Sequence, residues 1–222
     1  MKNINIKLWL LRIVLLVIGL SIAHLGVTLF LQANLGSDPF NVLIQGLHRS
    51  VPSLPITHGQ VHMGICFLII VVLLFVDRSY IRIGTLLCMA LGGPIIDIFT
   101  VVLKDVINSQ SPMAWRLACL VLGCVILAFG MTIVMKSECG TGPNDLVAIV
   151  LSDKLHKKFG IVRIIVDVAF AAVGFALGGV LGVGTIICAF LVGPTAQVFL
   201  PISGRICDRF SAGAVKEAYN IA

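Results

Sequence analysis

Long apolar runs broken by short polar segments organise this chain. Six of them, over 12–33, 59–77, 81–103, 115–136, 160–180 and 183–202, reach roughly the 20 residues that a helix needs to cross the ~30 Å hydrocarbon layer of a bilayer. Two shorter elements interrupt the series, at 39–49 and 143–153. At 1.5 Å per residue each spans only ~17 Å, too short to cross. The first is amphipathic: Asn41, Gln45 and His48 share one face, Phe40, Leu43, Ile44 and Leu47 populate the other, and Pro52 and Pro55 stop it. A polar turn precedes each short element, Leu35-Gly36-Ser37-Asp38-Pro39 in one case and Cys139-Gly140-Thr141-Gly142-Pro143 in the other. Both turns are helix-start signals, because proline suits the first helical position and Asp38 can cap exposed N–H groups.

The same order of elements occurs twice. Residues 12–99 can be laid on 116–199, pairing Gly19/Gly123, Gly26/Gly130, Thr28/Thr132, Gly36/Gly140 and Pro39/Pro143. After a short deletion the register resumes with Gly59/Gly160, Gly84/Gly184, Thr85/Thr185, Cys88/Cys188, Gly93/Gly193 and Pro94/Pro194. The expected fold is therefore an all-α polytopic membrane protein with two internal repeats, each of three long transmembrane helices plus one short half-helix. The repeats cover 12–103 and 116–202 of a single membrane domain, 1–222, and 203–222 is expected as a cytoplasmic C-terminal tail.

Two topologies fit this reading. If the short elements stay on one side, each copy crosses three times and the copies are inverted; if they cross, each copy crosses four times and the copies are parallel. Basic residues swing in opposite directions at matching positions. Arg49 stands alone after the first span of copy one, whereas Lys136, Lys154, Lys157, Lys158 and Arg163 occupy the equivalent stretch of copy two. Arg78 and Arg82 precede the third span of copy one, and 178–183 carries no basic residue. Inverted copies require such reciprocal bias, with both termini cytoplasmic under the positive-inside rule.

Composition sharpens the class. The chain is 59% hydrophobic and 12% charged, against roughly 45–50% and 25% in soluble domains. Its net charge of +6 is spread between the apolar runs rather than gathered in one patch, so bilayer orientation explains it and nucleic acid does not. The run 13–31 follows Lys2, Lys7 and Arg12 as a signal peptide would, but its internal equivalent 117–135 cannot be a signal, and it is read as a retained helix. Seven cysteines without CxxC spacing read as small packing residues, not as a disulfide framework or zinc site.

Candidate chemistry gathers at the two turns. A helix N-terminus presents unpaired N–H groups and about half a positive charge, so two such ends near a repeat axis form a site for a polar or anionic solute. Gly36, Ser37, Asp38 and Asn41 from one copy and Gly140, Thr141, Gly142, Asn144 and Asp145 from the other are the candidate substrate-binding residues. Asp97 and Asp167 lie inside apolar stretches, where a carboxylate costs about 2.5–3.5 kcal/mol on insertion scales, and are candidates for proton coupling. For Asp167 the structural alternative is an i,i+4 ion pair with Arg163; for Asp97 it is a hydrogen bond near a helix end. Their equivalents are Cys66 and Gln197, so any ionisable role is asymmetric. His58 and His62 have the spacing of a metal-binding pair, but no third ligand accompanies them, and His24 reads as a packing residue. Neither a cofactor nor a catalytic constellation is evident, so no enzyme is expected.

At the two turns and at Ile164-Ile165-Val166-Asp167, the chain resembles the YczE/YitT-like bacterial integral membrane proteins, from Arg12 to about Arg205. The likeness is greatest to the YczE branch, because the chain ends soon after its last span. The resemblance implies a bacterial cell membrane protein with a duplicated core, and brings no binding residue with it. The expected function is a secondary transporter or permease of a small polar or anionic solute. The alternative is an accessory or regulatory membrane protein whose basic segment 154–163 and Arg205, Arg209 and Lys216 hold a partner or anionic lipid. Small-residue faces leave a homo-oligomer or a membrane partner open.

Overall fold

A computed structural model describes residues 6–220, with side-chain detail to residue 210, and all regular structure in that range is helical. The helices are α1 (Ile6–Ala33), α2 (Pro39–Ser50), α3 (His58–Val76), α4 (Ile83–Leu103), α5 (Met113–Lys136), α6 (Pro143–Leu155), α7 (Phe159–Ala176) and α8 (Val183–Asn220). A single 3-10 turn, Arg78–Tyr80, joins α3 to α4. Six of the helices are long and apolar enough to span a membrane. The other two, α2 and α6, have 12 and 13 residues and begin at the prolines that mark their starts in the sequence.

Three boundaries differ from expectation by four residues or more: the first helix begins at Ile6 rather than 12, α7 ends at Ala176 rather than 180, and the last helix is longer. The last helix does not stop at 202 but continues to Asn220, through Pro194 and Pro201. Tertiary contacts hold its extension: Ser203 and Thr132 share a hydrogen bond of 2.7 Å, and Cys207 packs with Leu15 and Ile133.

Helices α1 and α5 form the centre and run antiparallel. At one end Arg12 pairs with Glu138 at 2.6 Å; at the other Arg116 donates to the carbonyls of Ala33 (2.7 Å) and Asn34 (3.2 Å). Between these ends the backbones nearly touch. A Cβ at Gly26 would collide with the Gly123 carbonyl oxygen, and one at Gly130 with the Ala23 nitrogen. Only glycine fits such an approach, which is the packing use of small residues in membrane helices. Phe30, Leu120 and Cys124 fill the seam beside them. The outer helices expose apolar faces, with Phe67 and Phe75 on α3, Ile98 on α4 and Phe190 on α8.

The two turns after these central helices share one backbone form. Asn34 and Glu138 are left-handed (φ 51° and 58°), and Gly36 and Gly140 have φ of 111° and 136°. Each turn docks on the start of a helix from the other half of the chain. Gly184 of α8 donates its N–H to the Leu35 carbonyl (2.8 Å), and Gly84 of α4 donates to the Cys139 carbonyl (3.0 Å). From these anchors α2 runs along α7, with Gly46 against the Gly174 carbonyl, and α6 packs its Leu146 and Val150 on Leu73 of α3.

Candidate functional site

The start of α2 is capped. Asp38 accepts hydrogen bonds from the Asn41 backbone N–H (3.3 Å) and from the Asn41 side-chain amide (2.7 Å), satisfying part of the exposed helix end. Ser37 is buried beside it, and the Asn41 amide oxygen faces His58 Nε2 at 3.4 Å. An amide and an imidazole thus meet on the α3 side of this helix end.

The start of α6 is built differently. Gly142 occupies the cap position, so no side chain satisfies the first N–H groups. The negative charge comes instead from Asp145 in the first turn, which accepts from Asn144 (3.3 Å) and from Arg163 Nη1 (2.6 Å). Arg163 also donates through Nε to Asp167 at 3.0 Å. One guanidinium thus bridges two carboxylates on two helices, each side chain a fifth to a third exposed. Helix α7 joins the two short helices, with Phe170 against Phe40 of α2 and Val162 and Val166 against Ala148 of α6.

Two hydroxyls beside the second turn have no partner among the described residues. Thr85 Oγ1, on the first turn of α4, is buried against Gly140, and Thr141 Oγ1 is also unpaired. Buried hydroxyls without partners are costly, so both carry unused hydrogen-bonding capacity. Candidate residues Gly36, Ser37, Asp38, Asn41, Gly140, Thr141, Gly142, Asn144 and Asp145 therefore surround the two short-helix starts, and Asp167 joins them through Arg163.

Asp97 stands apart from this group. It accepts from the Thr57 hydroxyl and from the Gly59 N–H (3.0 Å), and so ties α4 to the first turn of α3. Its structural alternative is the arrangement observed. Sequence reasoning missed the Arg163–Asp145 contact and Thr85. A signal for the first was available, since Asn41 aligns with Asp145, His62 with Arg163 and Cys66 with Asp167. No group of three His, Cys, Asp or Glu side chains suited to a metal occurs among the described residues.

Outside the spans, Asp77 caps the turn at the end of α3. Hydrogen bonds from Ser79, reinforced by Lys154 Nζ at 3.2 Å, hold its carboxyl down to about 2. Tyr80 donates to Asp153 at 2.8 Å, so the α3–α4 connection grips the C-terminal end of α6.

Over residues 10–201 the chain matches a protein family described as a family of unknown function, DUF6198. It is similar to an uncharacterized protein of Haemophilus influenzae, 26% identical over 192 residues that cover 86% of this chain and 84% of the other. It is also similar to two Bacillus subtilis proteins, each 28% identical. Uncharacterized protein YyaS aligns over 188 residues (85% of this chain, 92% of that one), and uncharacterized membrane protein YczE over 191 (86% of each). No solved structure matches.

Proposed function

The chain belongs to DUF6198, a family of unknown function, and has six helices apolar enough to span a membrane; from that premise we propose that it is a secondary transporter of a small polar or anionic solute. The observation that carries the reading is the pair of docked turns, Leu35–Gly184 and Cys139–Gly84, which seat the starts of two non-spanning helices against long helices of opposite halves. Helix starts of this kind bind anions through backbone N–H groups, and broken helices at a repeat interface are where transporters hold substrates.

The reading takes the halves as inverted repeats. Support comes from the antiparallel course of α1 and α5, and from the exchange of partners between their glycines: Gly26 meets Gly123, and their sequence equivalents Gly130 and Gly19 meet each other. Parallel copies would make α1 and α5 run the same way. The basic residues Arg78, Arg82, Lys154, Lys157 and Lys158 support a cytoplasmic location for that end, and in this reading both termini share it in a bacterial cell membrane.

In this mechanism Asp167 is the switch. Ionised, it shares Arg163 with Asp145; protonated, it releases one arm of the guanidinium, which then faces an incoming anion together with the uncapped N–H groups of α6. Asn41 and Asn144 orient the solute. Rocking of one half against the other about the α1–α5 seam alternates access.

The test is a solute-jump measurement on proteoliposomes with a panel of chloride, phosphate, mono- and dicarboxylates and zwitterionic amino acids. At least one solute should give saturable, protein-dependent flux that Asp167→Asn abolishes while the protein stays folded. Flux indifferent to Asp167→Asn removes the coupling role, and no flux with any of these solutes removes the reading. Thiol labelling of Ser53→Cys in a cysteine-free background, from outside the cell only, is the expected topology.

A further inference from the structure

Four histidines form a row in the first half of the molecule. His48 of α2 meets His58 of α3 with ring centroids 6.2 Å apart, His58 and His62 lie one turn apart on α3, and His62 meets His24 of α1 at 5.6 Å. His24 and His62 are only 9% and 7% exposed, inside spans where an ionisable side chain is costly unless it has work to do.

Hydrogen-bond partners fix which nitrogens carry the protons. A backbone carbonyl only accepts, so His24 Nδ1, 2.8 Å from the Leu20 carbonyl, and His48 Nε2, 3.0 Å from the Ile56 carbonyl, must be donors. The Asn41 NH2 donates to Asp38, which leaves its amide oxygen, an acceptor only, for His58. His58 Nε2 is then a donor too. Each of these three neutral rings therefore keeps a lone pair on its other nitrogen: His24 Nε2, His48 Nδ1 and His58 Nδ1. None of those atoms has a protein partner among the described residues. His62 Nδ1 has only the Cys66 sulfur, at 3.9 Å. Gly92 of α4 keeps the corner between the inner rings open, since a Cβ there would lie 3.1 Å from His24 Nε2 and 3.0 Å from His62 Cε1.

We propose that His24 and His62 bind one shared proton, delivered from the α2–α3 loop through His48 and His58. A lone pair takes the proton from hydronium and leaves water, and the two inner rings titrate as one coupled site. The groups facing the row are Asp38 and Asn41 at the start of α2, Arg49 at its end, Cys66 on α3 and Asp97 on α4. Asp97 favours added charge on His58, and Arg49 opposes it at the outer end of the row. The inference rests on the transporter reading for its purpose, adding a second proton site to the one that Asp167 carries there, but not for its detection.

The test uses the full chain, 15N-labelled at histidine, in lipid nanodiscs, followed by NMR from pH 8 to pH 5. His24 and His62 should leave the neutral form in one common transition. His62→Gln should move the His24 transition down by about one pH unit or more, the mark of a coupled pair. Gly92→Ala, which fills the corner without removing a ring, should do the same, whereas His156→Gln on the surface should change nothing. Two independent transitions, each indifferent to substitution of the other ring, would overturn the proposal, as would inner rings that stay neutral to pH 5. No solute enters this measurement, so a failed transport panel with an intact coupled transition counts against the transporter alone. An absent transition with solute flux intact counts against the histidine row alone.

Discussion

The two short helices start from the same backbone turn and end in different chemistry. Beside α2, Asp38 caps the helix through Asn41, and histidines line its α3 side. Beside α6, a glycine stands at the cap and Arg163 bridges Asp145 and Asp167. Aligned positions make the contrast specific, for Asn41, His62 and Cys66 in one half stand where Asp145, Arg163 and Asp167 stand in the other. The halves share their turns, which are backbone features, and differ in the side chains beside them, an amide with imidazoles at α2 and an arginine between two carboxylates at α6.

Substitutions can break this contrast. The largest effect is expected from Arg163→Ala, which leaves Asp145 and Asp167 without their shared cation. Breaking a fully buried pair costs about 3–5 kcal/mol, and partial exposure here lowers the expected loss to roughly 2–3 kcal/mol. Thermal unfolding in detergent measures it, and a variant as stable as the parent would show the bridge to be dispensable. The matching change in the other half, His62→Gln, should leave stability nearly unaltered.

Next comes the seat of α2. Gly46→Ala puts a methyl group into the Gly174 carbonyl, and overpacking of that kind costs about 1–3 kcal/mol. At the aligned position of α6 stands Val150, which already packs on Leu73 and Leu146, so Val150→Ala should act in the opposite sense, by leaving a void. Protease sensitivity of the 51–57 loop should rise in the first variant only. A smaller loss, about 1 kcal/mol, is expected for Asp38→Ala, the cap that α6 does without.

The smallest effect concerns pH. Asp77 has a folded pKa depressed to about 2 by Ser79 and Lys154, against an ordinary carboxyl value near 3.8. Its contribution is therefore complete above pH 4 and is lost as pH falls through 2. In Asp77→Asn, stability should match the acid form of the parent and lose its dependence on pH between 4 and 2. A parent without that dependence would show the Ser79 and Lys154 contacts to be idle together. The pair is exposed, so salt screening should reduce its effect further.

Much of the scaffold was legible because its signals are local. Runs of about 20 apolar residues set the long helices, and Gly36, Pro39, Gly140 and Pro143 set the starts of the short ones. The ion pair of Arg163 with Asp167 was legible too, because i,i+4 spacing puts both side chains on one helix face whatever surrounds them. The asymmetry of the ionisable positions was also visible, through Cys66 and Gln197.

Other features depended on which faces meet, and no local pattern states that. The chain alone offered Asp97 two roles, and only the approach of α3 to α4 gave its carboxylate the Gly59 N–H and the Thr57 hydroxyl. His24 read as a packing residue until α1 and α3 brought it to His62, with Gly92 of α4 holding the space open. The helix past residue 202 persists because Ser203 and Cys207 have partners on α1 and α5, contacts that hydropathy does not encode. By itself the sequence determined where helices lie and where polar turns interrupt them, since backbone propensity and apolar length act within one segment. Tertiary structure decided which charged and titratable groups share a space, because such contacts join residues tens of positions apart through surfaces that each helix presents only once packed.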